Sequence, residues 1–286
     1  MGKIGERLVR EAVLEGLFYP HRKHDLREAV SNLLVRSDEP AGTAQGILCP
    51  HASLQYAGLH QATSFKAAAA REISCIVILA AATHYADRTP AIPESHIFRT
   101  PLGDSLIDRR SLTRVKRNIP RLRIDDLPFL ESPAIETPLP FIQFLWPHAR
   151  IVPIVVPGLA LSEVELLGDG LRQALSIVPE KHILWIASTN IACGGNASQT
   201  RQDAEAVLQL LLSETHFDPV AVQNGVSKPR AYPAETLCRL LRYCIGPARS
   251  CEVLTRGSSC DLDGNVDSNT EYAAVAFGAD SHSGVL

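Results

Sequence analysis

The sequence is short of most signatures that settle a function at sight. Its seven cysteines (Cys49, Cys75, Cys193, Cys238, Cys244, Cys251 and Cys260) contain no CxxC pair, so zinc-finger spacing is excluded. Their odd, scattered set does not make a compact disulfide framework either. No apolar run is long enough to span a bilayer. The opening residues, MGKIGERLVREAV, lack the apolar core of a secretory signal. Glu6 stands where a myristoylation pattern wants Ser or Thr. A reducing, cytoplasmic setting is therefore expected. GxxxxGK[ST], GxGxxG and GxSxG are all missing, which removes the usual signatures of nucleotide binding, dinucleotide binding and serine hydrolysis. There is no internal repeat, low-complexity linker or composition shift, so one domain is expected over residues 1–286.

Charge of one sign is scarce as well. The formal net charge is -3 and the pI about 6.4, so no face reads as basic, and neither nucleic acid nor membrane is an expected partner. The stretch 109–123, RRSLTRVKRNIPRLR, is the local exception, and its simplest reading is a solvated helix face. Hydrophobic residues make up 45% and charged residues 21%, enough apolar content for a packed core.

What is present is a run of short, wholly apolar segments. Residues 45–49 (QGILC), 75–80 (CIVILA), 151–156 (IVPIVV) and 182–187 (HILWIA) read as buried strands. Helical spacing appears over 25–36, 54–71, 162–177 and 202–213. Strands apolar on both faces, alternating with helices, indicate an α/β fold whose sheet is covered on both sides. Two late strands are expected, over 251–254 and 271–277. The polar piece between them, SSCDLDGNVDSN, reads as a turn, since its acidic part lacks the spacing and terminal Glu of a calcium loop.

In open α/β sheets ligands bind beyond the carboxyl ends of the strands. His51 follows the first predicted strand, His84 the second, and Asn190 and Cys193 the fourth. Taken singly, each His is best read as a satisfied, partly buried residue. Two His and a Cys, each just past a different strand, make a metal site a competing explanation: imidazole and thiolate suit copper, zinc or iron. The CGG at Cys193 also allows a thiol nucleophile at a helix start, although a buried, inert cysteine is the more common case.

Seven motifs follow one another along the chain: EGLFYP, PHASLQYAG, ILAAATHY, FRTPLGDSLID, ESPAIETPLPF, IASTNIACGG and SSCDLDGNVDSNTEYAAVAF. Their ordered set resembles the Memo family, which includes the bacterial AmmeMemoRadiSam system protein B group. EGLFYP, with Leu17, Phe18, Tyr19 and Pro20, looks like the family's N-terminal GxFYP. PHASLQYAG, 50–58, is similar to PHAGYxYSG, and ILAAATHY, ending at Tyr85, looks like the ILGPSH strand end. FRTPLGDSLID, 98–108, resembles the TPLG segment, and ESPAIETPLPF, 131–141, takes the place of EHSIEVQLPF ahead of ARIVPIVV. IASTNIACGG, 186–195, falls where the family has SSDLSHY, and SSCDLDGNVDSNTEYAAVAF looks like its C-terminal strand pair. The resemblance covers nearly the whole chain. It implies a three-layer α/β/α fold around a mixed central sheet, similar to class III extradiol dioxygenases. It also implies a pocket in which two His and a Cys hold iron or copper, with redox activity in some members.

The resemblance puts His51 and His84 on the two metal-binding His positions and Tyr56 on a pocket Tyr. It also shows departures. Asn190 replaces a pocket Asp, Cys193 replaces a pocket His, and Ser53 replaces the Gly after PHA. EHS has become Ser132-Pro133-Ala134, with Glu136 kept. The family's third ligand, a Cys, aligns with Pro229 if Pro233 is the motif's proline. Three readings stand open. The pocket is rewired, with His51, His84 and Cys193 holding iron or copper beside Tyr56, Asn190 and Glu136. Or the ion is absent, and the fold binds a protein or small-molecule partner. Or an extradiol-type dioxygenase draws its carboxylate from Glu136.

Overall fold

The computed structural model describes residues 8–82, 89–212, 232–246 and 250–278. In chain order the first elements are β1 (Val9–Arg10), α1 (Lys23–Arg36), β2 (Gly46–Cys49), α2 (Leu54–Lys66) and β3 (Cys75–Ala81). Next come β4 (Ala91–Ile92), β5 (Ile97–Thr100), β6 (Gly103–Leu106), α3 (Arg109–Asn118) and β7 (Arg123–Ile124). Three short helices follow, α4 (Leu127–Leu130), α5 (Pro133–Glu136) and α6 (Leu139–Leu145), and then β8 (Arg150–Val156) and α7 (Leu161–Leu175). The last elements are β9 (Ile183–Ser188), β10 (Ala192–Gly195), α8 (Ala197–Leu212), α9 (Tyr232–Ile245), β11 (Cys251–Ser258), α10 (Cys260–Asp263) and β12 (Asn269–Phe277).

Among the described residues the main sheet has nine strands, in the order β10-β12-β2-β9-β3-β8-β4-β7, with β11 also paired to β12. Its centre, β2-β9-β3-β8, is parallel. Antiparallel pairing enters at β12 and at β4, which makes the sheet mixed. β3 and β9 are buried along their whole length, so helices must cover both faces. They do. Gly46 faces α9, where a Cβ would sit 2.1 Å from Ile245 Cδ1. Cys49 lies three residues along and therefore on the other face, beside Ser64 of α2. The fold is thus the α/β architecture with a mixed central sheet that the sequence predicts.

All four predicted central strands are present, each within a residue of its expected ends. The helix expected over 54–71 stops at Lys66 instead. The segment before β2 takes its last carbonyls: Gly42 N donates to Lys66 O at 3.0 Å and Ala44 N to Ala67 O at 2.9 Å. Only glycine fits there, because a Cβ at position 42 would lie 2.5 Å from Ala67 O. The Arg-rich stretch forms α3, which buries Ser111, Leu112 and Val115 and exposes Arg110 and Arg117, as a solvated helix face should. Among the described residues no helix is long and apolar enough to cross a membrane.

A second, three-stranded sheet, β1-β5-β6, has no counterpart in the sequence reading. Two-residue β1 is too short to show a period, and a buried ion pair holds it in place. Arg10 is buried on β1, and its Nη1 lies 2.5 Å from Glu136 Oε2 at the end of α5. Glu136, fully buried, also accepts from the Tyr19 hydroxyl, from Leu14 N at 2.9 Å and from Val13 N at 3.2 Å. Arg10 Nε and Nη2 donate to the carbonyls of Phe129 and Leu130 at 2.6 and 2.9 Å. Burial and the neighbouring Glu136 both push the Tyr19 phenol well above its usual range. Removing one partner of such a pair strands a buried charge, so Arg10→Ala is expected to lower unfolding free energy by about 3–5 kcal/mol. Urea denaturation measures this, and a loss below about 1 kcal/mol would refute the strut role.

Candidate functional site at the strand ends

The central register brings four chain segments to one edge. Cys49 at the end of β2 is level with Ser188 at the end of β9, and Ala80 of β3 is level with the same Ser188. Ala81 of β3 pairs with Val156, the last residue of β8. Beyond that line β2 runs into Pro50-His51 and β9 into Thr189-Asn190. Thr189 N donates to Cys49 O at 3.0 Å, and His51 N donates to Asn190 Oδ1 at 3.1 Å. His51 and Asn190 are therefore neighbours, although 139 residues separate them. β3 runs on through Ala82, whose N–H reaches Val156 O at 3.1 Å. His84, and Pro229 at the expected third-ligand position, lie outside the described residues.

His51 is buried, and its Nδ1 has no hydrogen-bond partner among the described residues. Burial pushes its pKa down to about 4, against a smaller opposing effect of the Ser188 backbone. At neutral pH the ring is uncharged and keeps a lone pair, the state in which imidazole binds metals. Gln61 of α2 holds the backbone around it, its Nε2 donating to Pro50 O and Ala52 O at 3.0 and 2.9 Å.

Cys193 is neither at a helix start nor buried, which corrects both sequence readings of CGG. It lies in β10, exposed, opposite Thr270 of β12. Gly194 has φ +79° and the pairing shifts between Cys193 and Gly195. A glycine in the left-handed region builds this bulge, so the segment continues as strand. Two residues along β12 from Thr270 is Tyr272, a residue the sequence reading passed over, which pairs with Gly257 of β11. Burial raises its phenol to about 12; Tyr56, Asp263 and Cys193 push the same way, and a Ser259 hydrogen bond opposes them. Half-buried Tyr56, in the first turn of α2, thus shares a neighbourhood with Cys193 and Tyr272. One turn further along α2, the His60 ring lies 6.2 Å from Tyr272. The one available signal for Tyr272 was a phenol within the otherwise apolar end of NTEYAAVAF.

Glu136 has its oxygens engaged by Arg10, Tyr19 and two backbone N–H groups. Among the described residues no three His, Cys, Asp or Glu side chains converge where a metal ion could sit. His51 suits an ion, being buried and neutral with an orphaned ring nitrogen, and the side chain held against its backbone is the Asn190 amide.

The family model described as Memo-like protein matches residues 10–276. The chain belongs to the Memo family. A MEMO1 family protein of Nitrosopumilus maritimus is 22% identical over 279 residues, covering 94% of this chain and all of its own length. Another, of Pyrobaculum arsenaticum, is 28% identical over 280 residues, covering 94% of this chain and 99% of its own. The Memo family has the extradiol-dioxygenase-like fold, and the mixed sheet with helices on both faces is this chain's version of it. A crystal structure of an Escherichia coli K12 protein is similar at a TM-score of only 0.40, with 12% identity over 71% of this chain and 86% of that one.

For the metal-free Memo chain the His51 environment sets a pH dependence. The folded pKa, about 4, lies below the unfolded value of about 6.5. Below that value the unfolded state binds more protons, so stability present above pH ~6.5 is lost as pH falls toward ~4. The loss is on the order of 3 kcal/mol. Denaturation midpoints across this range should fall less steeply in His51→Gln than in the parent protein. Parallel curves would show that His51 does not carry the effect.

Proposed function

We propose that this Memo-family protein holds an iron or copper ion at the strand ends, with His51 and His84 as ligands and Cys193 as the third, in a pocket that serves redox chemistry. The observation that carries this reading is the buried, neutral His51 with an unpartnered ring nitrogen, at the same sheet edge as β3, the strand that leads to His84, with β9 between the two strands. A buried polar atom left without a partner is costly, and in native proteins it calls for a water, an ion or a function. Two imidazoles alone seldom hold an ion, since stable sites use three or more protein ligands. Cys193 is the thiol on the neighbouring rim, and its exposure leaves it access to solvent and to small molecules. When bound, iron or copper would supply electron transfer. Asn190 would fix the His51 backbone, and Tyr56 and Tyr272 would form the pocket's polar wall.

A second reading has one observation in its favour. The side chain held against the His51 backbone is the Asn190 amide, which brings no charge to offset an ion's, as fits a pocket that has lost its ion and binds a protein or small-molecule partner. An extradiol-type site draws less support, because the only carboxylate nominated for it, Glu136, is taken up by Arg10 and Tyr19. A cytoplasmic setting fits the buried thiols of Cys49, Cys75, Cys238 and Cys244, none of which is in a disulfide.

Elemental analysis of untagged protein tests the proposal. Near-stoichiometric iron or copper is expected, abolished by His51→Ala and by His84→Ala and weakened by Cys193→Ala. Protein that stays metal-free after reconstitution under reducing conditions would leave the partner-binding reading in its place. Unchanged metal in Cys193→Ala would remove the thiol from the site.

A further inference from the structure

The two ends of the main sheet carry surface features that the His51 edge does not use. At one end lie β4, β7 and α3. α3 sets Arg109, Leu112, Thr113 and Lys116 three and four residues apart, so their side chains share one stripe of the helix. That stripe, with Ile92 of β4 and Ile124 of β7, lines a cavity of about 130 Å³. Its floor is apolar: Leu112 and Ile92 are buried, and Ile124 is 47% exposed. Its rim is cationic. Arg109 Nη1 donates to the carbonyls of Pro93 and Glu94 at 2.9 and 3.2 Å. Lys116 Nζ donates to those of Pro120 and Leu122 at 2.8 and 2.6 Å. A carbonyl carries no formal charge, so these bonds fix the two head groups without neutralising them. Exposed Arg110 and Arg117, each one position further along α3, extend the positive rim.

At the other end is the turn between β11 and β12. Residues 261–268 are all exposed. They include Asp261, Asp263 and Asp267 and no Lys or Arg. Arg201 reaches Asp261 at 3.4 Å. Leu262 is 61% exposed and Val266 59%, apolar side chains that the fold leaves in water. The turn is nevertheless held in one shape. Asn269 ties its base to Ser258 and Thr200. Ala197 N donates to Val266 O at 2.8 Å, and Asp267 N donates to Asn265 Oδ1 at 3.1 Å. Gly264, at φ +70°, closes α10 in the left-handed region. A knob shaped in advance loses little freedom when it docks.

We propose that this turn of one copy of the chain docks in the α3 cavity of a second copy. Leu262 enters the cavity, and the three Asp side chains face Arg109, Arg110, Lys116 and Arg117. The surfaces match in apolarity and in charge: an apolar tip ringed by acid meets an apolar floor ringed by base. Opposite charges set partner choice and orientation, and burial of Leu262 supplies the hold. An apolar cavity on the order of 150 Å³ takes up benzene, so a Leu side chain has room here. Knob and cavity are different surfaces, so the contact either repeats head to tail or closes on itself within a pair. It also means that each can be removed without the other.

Sedimentation velocity of untagged protein at low ionic strength is the test. The parent protein is expected to associate as its concentration rises and to return to monomer as salt screens the charges. Leu262→Glu removes the knob, and Thr113→Glu blocks the mouth of the cavity. Both residues are exposed, so the fold should persist, with unchanged denaturation midpoints as the check. Each variant alone should associate at least about tenfold more weakly, the worth of one buried Leu side chain. An equimolar mixture of the two decides the matter. One partner keeps the cavity and the other keeps the knob, so together they should form a one-to-one complex that neither forms alone. A mixture that stays monomeric overturns the proposal, and so does association that either variant leaves untouched. A parent protein that is monomeric throughout also overturns it, and leaves the cavity to an acidic partner other than this chain. The contact lies apart from His51, so none of these outcomes bears on the metal-site reading.

Discussion

The register of the four central parallel strands is the constraint on which the rest depends. β2, β9, β3 and β8 are apolar on both faces, so no arrangement with an exposed sheet surface is open to them. Parallel pairing puts all their carboxyl ends at one edge, and residue-for-residue alignment makes Cys49, Ser188, Ala80 and Val155 the line beyond which the chain leaves the sheet. Every candidate residue at the edge inherits its place from that line. A slip of one residue would send each side chain to the opposite face, taking Cys49 and Ser188 away from α2.

The polar groups kept inside this apolar frame fall into two kinds. Some are satisfied and act as joints. Glu136 gathers Arg10, Tyr19 and two backbone N–H groups, tying the N-terminal segment to α5. Asn269 does the same at the other end. Its Oδ1 accepts from Ser258, Ser259 and the Cys260 N–H, and its Nδ2 donates to Thr200 and Glu271. That hub anchors the exposed turn of residues 261–268 to α8. The other kind is unsatisfied: His51 Nδ1, Gln61 Oε1 and Ser188 Oγ are buried with no hydrogen-bond partner among the described residues. Buried joints lose stability when broken and buried orphans cost stability while they remain. The contrast is what separates framework from candidate site in this molecule.

The electrostatic character of the site follows from the same burial. His51 is stripped of water, so the neutral ring is favoured. Tyr272 is likewise held as a phenol. Asn190 contributes an amide rather than a charge. His51, Asn190 and Tyr272 thus bring polarity without charge, with Asp263 near enough to Tyr272 to raise its phenol, and a cation at His51 would draw its compensation from Cys193, if ionised, or from groups that a ligand brings.

The sequence by itself determined the central strands, the helices over them and the positions of His51 and Asn190 at strand ends. These are local properties: an apolar run of five to seven residues is visible wherever it stands, and so is the polar residue that ends it. The ordered motifs likewise identified the family. Only the tertiary structure decided what depends on separate stretches of chain meeting. The bulge at Gly194 kept Cys193 in a strand, exposed, where CGG alone read as a helix start or a buried thiol. β1 exists because a buried ion pair holds two residues that have no period to read. The helix over 54–71 ended early because residues 42–44 arrive to take its carbonyls. Tyr272 and Glu136 received their roles from neighbours about 80 and 120 residues away along the chain, and no spacing within either motif encodes a contact of that kind.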